Sequence, residues 1–435
     1  MGPRQKAILT GAIVAGIASA YAVAEPTNAE LKAELDALQA QLFAQRGPAA
    51  NDVDRVVSDV LKDANDRSKL LAVEGMTAGW DNGFRIGSAD GNYLLQPGLL
   101  GQFGYIANYR KDAKGGDNDD LQDGFEIRRM QLILTGNAIS PDLTYRFMWN
   151  VQNTTGTPIL RDAWLQYKFA DNFFFRFGQF RDFAWHEEAT IDYKQLAVDR
   201  SVINGLIGGT NADRVQGVML GYAEGPFGAM IAYHDGANSK NTTFANSPTV
   251  PTQAPGDTDF GVTGRVEYFV MGANARKQYE DFTALGNKED LLVIGGGFDW
   301  TQSGSNDAIF HTVDVQYENA SGLGLYAAYL GIDRSGAGDG YDWGGLLQAS
   351  YLFSGNIELF ARYSYTELDD VAAGFDSNVQ EIVIGVNHYY KSYNAKVTID
   401  VTYLPNGCPT NLGQLDVLSS DDDEIVIRGQ FQLLL

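Results

Sequence analysis

The chain has very few of the residues on which most disulfide and metal sites depend. Its 435 residues include one cysteine, Cys408, and four histidines. An internal disulfide is excluded, because a disulfide needs two cysteines. None of the histidines has another histidine or a cysteine three or four residues away, and no CxxC or HExxH motif occurs. The sequence therefore predicts no metal site, no cofactor and no enzymatic activity, although a catalytic site assembled from loops would leave no local motif.

Long apolar runs and positive charge are also scarce. The mean hydropathy is -0.21, and past the N-terminus no apolar run approaches the roughly 20 residues of a membrane-spanning helix. A helical membrane protein is therefore excluded. Lys and Arg number 32 against 55 Asp and Glu, which gives a net charge of -23 and argues against nucleic acid as a partner.

The first 24 residues have the pattern of a secretory signal peptide. Arg4 and Lys6 form a basic start, an apolar stretch follows over 7–18, and Ala22 to Ala24 supply small residues for cleavage. Export without disulfides is typical of a bacterial envelope protein.

Residues 25–75 have helical periodicity. Leu31, Leu35, Leu38 and Leu42 follow the 4-3-4 spacing of a coiled-coil seam, and a second helical pattern covers 53–61. The seam is too short to be stable alone. We expect a periplasmic helical segment, which acts as a spacer, as a coiled coil that assists a larger oligomeric interface, or as a tether to the envelope.

From about residue 98 the hydrophobic period changes to two and stays there. Leu143, Tyr145 and Phe147 alternate with Thr144 and Arg146, for example. Sixteen such segments, mostly of 10 to 13 residues, suit strands that cross a membrane with a tilt. They are 98–109, 125–137, 142–153, 160–170, 172–180, 215–224, 226–235, 259–270, 290–302, 307–319, 321–332, 343–354, 355–367, 378–390, 393–404 and 423–435.

The connections alternate in length. One set runs mostly from 6 to 34 residues, and the other has four residues or fewer, except for residues 271–288, which look helical. Outer-membrane barrels have long loops on one side and short turns on the other. A strand facing hydrocarbon needs every backbone group paired, which a closed sheet provides. We therefore predict an all-β fold over 76–435: a 16-stranded antiparallel transmembrane β-barrel, apolar outside and polar inside.

Alternation also assigns charged side chains to the lumen. It places Arg129, Arg146, Lys168 and Arg176 on one arc of the inner wall, as a basic pore wall. By the same count Arg128 shares the lipid face, near the rim, where an arginine can extend its charge to water.

Several stretches resemble the phosphate-selective porin O/P family. They include "FEIRRMQLILTGN" (125–137), "DAWLQYKF" (162–169) and "FRFGQFRDFAWHEE" (175–188). The resemblance implies a trimeric outer-membrane porin whose third loop folds into the lumen, and strand counting identifies that loop as about 181–214. Arg128 and Arg129 match the family's paired arginines of the second strand.

The third loop is the predicted constriction. Its candidate residues are Asp182, His186, Glu187, Glu188, Asp192, Asp199 and Arg200. An acidic loop facing a basic wall would set a field across the pore, as in general diffusion porins. Alternatively, these acids pair with the arginines and only hold the loop in place.

We therefore expect an outer-membrane porin that allows passive diffusion of small hydrophilic solutes or ions. Its expected partners are outer-membrane lipid, lipopolysaccharide and two further copies in a homotrimer. The alternatives are a phosphate- or anion-selective channel and a structural protein that tethers the envelope.

Overall fold

A computed structural model describes residues 32, 35–37, 62, 75–80, 83–111, 121–209, 213–243, 258–336, 339–353 and 356–435. The predicted signal peptide lies outside these residues. Within the predicted helical segment only Lys32, Leu35 to Ala37 and Lys62 are described, and they are helical. None of the helices in the described part of the chain has the length and hydropathy needed to cross a bilayer.

Contacts divide the chain into Met1–Glu74 and Gly75–Leu435, and the second unit holds all the strands given below.

All sixteen predicted strands are present, with ends within four residues of the prediction. A short hairpin of two five-residue strands precedes them and was not predicted, because "MTAGW" and "FRIGS" are too short to display a period. The strands are β1 (Met76–Trp80), β2 (Phe84–Ser88), β3 (Leu94–Arg110), β4 (Leu121–Ala138), β5 (Ser140–Val151), β6 (Pro158–Ala170), β7 (Phe173–Arg181), β8 (Arg214–Glu224), β9 (Phe227–His234), β10 (Phe260–Met271), β11 (Leu291–Ser303), β12 (Asn306–Glu318), β13 (Leu323–Ser335), β14 (Gly340–Phe353), β15 (Ile357–Glu367), β16 (Asn378–Lys391), β17 (Ala395–Leu404) and β18 (Glu424–Leu434).

Strands β3 to β18 form a closed barrel. Each pairs antiparallel with the next, and β18 returns to β3 from Glu424↔Arg110 to Leu434↔Leu100. Leu435 and Leu99 exchange two backbone hydrogen bonds, of 2.9 and 3.1 Å, at the end of this seam. The predicted 16-stranded antiparallel barrel is confirmed.

The two faces of the barrel differ as the alternation predicts. On β12, Val313 and Val315 are exposed on the outer surface, while Thr312 and Asp314 are buried on the inner side. Phe125 on β4 exposes 88% of its surface outward. The outer surface is therefore the apolar one that faces lipid.

A β-bulge corrects the assignment of Arg128. Gln102 pairs with Arg129, but the next residue of β3, Phe103, pairs with Ile127, so Arg128 is an extra residue in β4. A bulge shifts the phase of alternation by one residue. Arg128 consequently points inward beside Arg129, with only 7% of its side chain exposed, and the predicted lipid-face position is wrong.

Candidate pore constriction

The segment between β7 and β8 turns into the barrel instead of extending away from it. It contains a one-turn helix, His186–Ala189, a 3-10 turn, Asp192–Lys194, and a π turn, Asn204–Gly208. We call the described residues 182–209 of this segment the inner loop.

Backbone groups of the inner loop bind side chains on the far wall. The Val198 N–H donates to the Asp400 carboxylate over 2.9 Å. The Asn387 side-chain amide donates to the Leu196 carbonyl over 2.9 Å, and Arg362 donates to the Asp199 carbonyl over 3.0 Å. Asp400, Asn387 and Arg362 lie on β17, β16 and β15. The inner loop therefore crosses the lumen and lies against the opposite wall.

Apolar packing holds the same loop. Trp185, Ile203 and Ile207 are fully buried against inward-facing apolar side chains of β12 to β16, among them Phe310 and Leu346. Sequence reasoning missed this contact, because it assigned a polar, water-filled character to the whole inner face. The sequence does contain a signal for this contact, namely large apolar residues at inward positions of the strands. They are Phe310, Leu330, Ile332, Leu346 and Phe360.

The loop carboxylates predicted for the constriction are held by arginines. Asp199 accepts from Arg128 over 2.5 Å and from Arg129 over 2.8 Å, and Arg428 lies 3.6 Å away. Asp192 accepts from Arg200 over 2.8 Å and from Arg181 over 3.3 Å.

Burial would raise the pKa of Asp192, but Arg181, Arg200 and Arg129 together outweigh burial and keep that pKa well below its usual value. Asp192 is therefore ionised inside the loop. Glu188 also lies 3.1 Å from both Arg181 and Arg200.

Glu187 and His186 are also buried. Glu187 accepts from the Ser201 N–H over 2.8 Å and the Ser201 hydroxyl over 2.6 Å, and burial raises its pKa. The His186 ring stacks on Tyr279 with 4.1 Å between centroids, and burial lowers its pKa to about 4. These two residues anchor the loop and do not face an open channel.

Asp182 starts the inner loop inside a compact polar cluster. One carboxylate oxygen accepts from the Ala184 N–H over 2.8 Å, and burial together with nearby Asp299 raises the pKa of Asp182 to about 7. Metal-ligand atoms of Asp182, His234 and Asp299 lie within 4.8 Å of one another. However, Nδ1 of His234 accepts from the Gly236 N–H over 3.1 Å, so Nε2 carries the proton and donates to Asp299 over 2.9 Å. Both ring nitrogens of His234 are therefore engaged in hydrogen bonds within the cluster, and neither has a lone pair free for a metal ion.

The predicted basic wall is assembled only in part. Arg129 and Arg146 face the lumen, and Arg146 donates to Asp162 over 2.8 Å. Arg176 also faces the lumen, beside Trp164. Lys168 lies apart from them, at the end of β6, with 47% of its side chain exposed and Asp171 3.6 Å away.

Arginines of the loop and of β7 and β8 join this wall. Arg214 is fully buried and donates to Asp162 over 2.8 Å and to Asp213 over 2.5 Å. Asp162 was not predicted as a site residue, although its even-numbered position in β6 already pointed it inward. Six arginines thus meet five carboxylates on one side of the lumen: Arg129, Arg146, Arg176, Arg181, Arg200 and Arg214 with Asp162, Glu188, Asp192, Asp199 and Asp213.

A second segment enters the barrel from the other end. Residues 272–290 join β10 to β11 and contain a 3-10 helix, Arg276–Glu280. Tyr279 meets His186, Lys194 of the inner loop pairs with Glu280 over 2.9 Å, and Thr283 donates to Glu358 over 2.5 Å. Both segments therefore contact the wall formed by β10 to β17, while carboxylates of the inner loop pair with arginines of β4 and β7.

The comparisons with known proteins agree with this architecture. A sequence model described as phosphate-selective porin O and P matches residues 102–299. The resemblance to that family is confirmed. The barrel is that of an outer-membrane porin. A sequence comparison with curated proteins found no match to this porin.

Solved outer-membrane proteins are similar to this chain at low identity, and the first of them shares its fold. The anion-selective porin from Comamonas acidovorans has 13% identity and a TM-score of 0.53, with 79% of this chain and 100% of that chain covered. The outer membrane channel DcaP of Acinetobacter baumannii has 12% identity and a TM-score of 0.49, with 80% and 99% covered. Outer-membrane expressed OmpT of Vibrio cholerae has 14% identity and a TM-score of 0.48, with 79% and 98% covered.

Proposed function

We propose that this porin lets small hydrophilic solutes diffuse passively through its lumen and that the constriction favours anions. The observation that carries the proposal is the group of arginines between the inner loop and strands β4 to β8, where six arginines meet five carboxylates and Arg176 donates to Gln166 instead of to a carboxylate. Electrostatic fields in a low-dielectric constriction are screened less than at a surface, so a local positive surplus raises the local anion concentration.

The pairing of the loop carboxylates supports anion preference over cation preference. Asp192, Asp199 and Glu188 each contact two arginines or more. A carboxylate that already accepts from arginine has little remaining attraction for a passing cation. Of the two interpretations of the acidic loop, structural pairing is therefore the better supported for these three residues, and we assign selectivity to Arg129, Arg146 and Arg176.

A phosphate-selective channel is the second candidate, favoured by the family description and by the same arginines. Bidentate arginine contacts suit phosphate and carboxylate alike. Competition between chloride and phosphate distinguishes the two candidates.

Current recordings across planar lipid bilayers test both candidates. In a KCl gradient we expect a zero-current potential with the sign of chloride preference, and a smaller preference when acetate replaces chloride. A cation-selective potential would overturn the proposal. Block of the chloride current by micromolar phosphate would establish the phosphate-selective candidate in its place.

We further propose that three copies assemble in the outer membrane, in contact with lipid and lipopolysaccharide, with residues 25–75 in the periplasm. Deletion of residues 25–75 tests the role of that segment. Loss of trimers and of conductance would assign it to assembly. Unchanged conductance with a weakened envelope would assign it to tethering.

A further inference from the structure

The inner wall of β6 to β9 has a patch that is unusual for a water-filled lumen. Trp164, Phe174 and Met230 are half-buried on this wall, and they pack against buried apolar side chains of β7 to β9 and of the inner loop. These buried residues are Phe180, Phe183, Val215, Met219 and Ala232. Lumen-facing positions of porins are usually polar. We call Trp164, Phe174, Arg176 and Met230 the aromatic–arginine patch.

The patch is preorganised by close packing. A Cβ placed on Gly221 would lie 2.1 Å from a ring carbon of Phe174, so the Phe174 ring lies directly over the Gly221 backbone. Trp164 pairs across the sheet with Arg146 on one side and Gly178 on the other. The aromatic surfaces are therefore fixed to the strands and do not depend on a mobile loop.

Arg176 lies among these rings. Its guanidinium is 4.3 Å from the Trp164 ring centroid, 5.8 Å from that of Phe174 and 6.0 Å from that of Phe180. Nε and Nη2 donate to the Gln166 side-chain carbonyl over 3.1 and 2.7 Å. Among the described residues, no carboxylate forms an ion pair with Arg176 and nothing accepts from its Nη1. By contrast, Arg129, Arg146, Arg181, Arg200 and Arg214 each contact a carboxylate.

We propose that the aromatic–arginine patch is a binding subsite for organic anions that carry an apolar body, such as aromatic monocarboxylates. The inference rests on the proposed function and specifies the solute class. The carboxylate of the solute would accept hydrogen bonds from Arg176, with Arg146 adding positive charge nearby. Its ring would cover Trp164, Phe174 and Met230 and displace water from them.

The chemistry of the patch distinguishes this class from inorganic anions. Phosphate and chloride gain from the charge of Arg176 but have no apolar surface to bury. A neutral aromatic solute gains from the rings but leaves the arginine unpaired. Only a solute with both features uses the whole patch.

Solute-induced block of the chloride current tests the proposal on the intact porin in planar bilayers. Benzoate, acetate and benzyl alcohol are added separately to the same KCl solution. We expect benzoate to block with an apparent dissociation constant lower than that of acetate by about tenfold or more. Benzyl alcohol is expected to leave the current unchanged.

Variants identify the residues responsible. Arg176→Gln should abolish the preference for benzoate over acetate. Arg176→Lys keeps the charge but not the planar stacking on Trp164, so it should retain chloride preference and lose most of the benzoate preference. Gly221→Ala should also weaken benzoate block by displacing the Phe174 ring. Lys111→Gln, which removes a cation that pairs with Asp422 over 3.1 Å just beyond the end of β3, is the control and should leave benzoate block unchanged.

The outcomes separate this subsite from the porin function itself. A wild-type porin that conducts KCl but is blocked equally by benzoate and acetate overturns the subsite and leaves the channel. Benzoate preference that survives Arg176→Gln in a conducting porin also overturns it. Absence of any conductance overturns the channel proposal on which the subsite rests.

Discussion

At the residue scale, the bulge beside Arg128 decides how the inner loop is held. Because the bulge turns both Arg128 and Arg129 inward, Asp199 receives two guanidinium groups from one strand and has a third, Arg428, nearby. Burial of a carboxylate is unfavourable unless it is well paired, and here three cations surround it. Burial alone would raise the pKa of Asp199, but Arg128, Arg129 and Arg428 keep it far below its usual value.

Replacing Asp199 with Asn should therefore leave a group of uncompensated buried arginines. We expect the docked loop to lose about 3 kcal/mol or more, as when one partner of a buried ion pair is removed. Anion preference should rise at the same time, because positive charge in the constriction is no longer neutralised. The unfolding temperature in detergent and the zero-current potential measure the two effects.

Asp171→Asn is the control for this substitution. Asp171 is fully exposed, and its pairing with Lys168 lies at a turn outside the constriction. An exposed pair contributes little to stability. Equal effects of Asp171→Asn and Asp199→Asn would contradict the assignment.

At the scale of elements, glycines on the barrel wall decide how closely the inner loop approaches. Gly297 on β11 faces inward, and a Cβ there would lie 2.3 Å from the Ala184 carbonyl oxygen of the inner loop. A Cβ on Gly344 of β14 would lie 2.4 Å from the Ile203 side chain. The loop therefore docks onto grooves that only glycine leaves open.

Gly297→Ala should displace the start of the inner loop from β11. The backbone of Ala184 must move, because a carbonyl oxygen cannot approach a Cβ so closely. We expect single-channel conductance to change and the open-channel current to become noisier, because the loop loses its fixed position. Bilayer recording measures both quantities.

The neighbouring glycine offers a matched control. A Cβ on Gly296, which faces outward, would lie 3.5 Å from its nearest atom, the Thr312 carbonyl oxygen. Gly296→Ala should leave conductance unchanged. The docking account fails if both substitutions alter the current alike.

At the scale of the whole molecule, three in-folded segments each bury a carboxyl group with a raised pKa. Asp182 lies in the inner loop and Asp281 in residues 272–290. Asp416 lies between β17 and β18, in a segment that reaches into the barrel, where Asp416 accepts from Arg128 over 2.9 Å. Burial is the largest cause in each case and raises each pKa to about 7. Pairing of β3 to β18 closes the barrel without these segments, so we expect them to undock without opening the sheet.

Docking of the three segments should accordingly weaken as pH rises. A carboxyl group whose folded pKa exceeds its unfolded pKa of 3.8 contributes stability that is full below pH 3.8 and is lost as pH rises through about 7. We expect a lower unfolding temperature and noisier channels at pH 8.5 than at pH 6.5. The variant with Asn at positions 182, 281 and 416 should lose this dependence. A wild-type unfolding temperature that stays constant or rises over this range would contradict the prediction.

The sequence by itself determined the barrel. A period of two in sixteen segments and the alternation of long and short connections are local properties of the chain, and they require a closed sheet in a membrane. The family resemblance and the inward positions of Arg129, Arg146 and Arg176 follow from the same patterns. Lys168 obeys the alternation, but its position at a strand end separates it from the other three.

Only the tertiary structure decided which charges meet and how the lumen is filled. The inward turn of Arg128 depends on a bulge, which a sequence pattern does not reveal because the partner strand sets the register. The apolar packing of the inner loop joins residues more than a hundred positions apart, such as Trp185 and Tyr326. Asp162 and the aromatic neighbours of Arg176 acquire their roles only when β6 to β9 are side by side. The physical reason is that alternation specifies a face for each side chain, whereas pairing, burial and charge balance depend on what lies opposite that face.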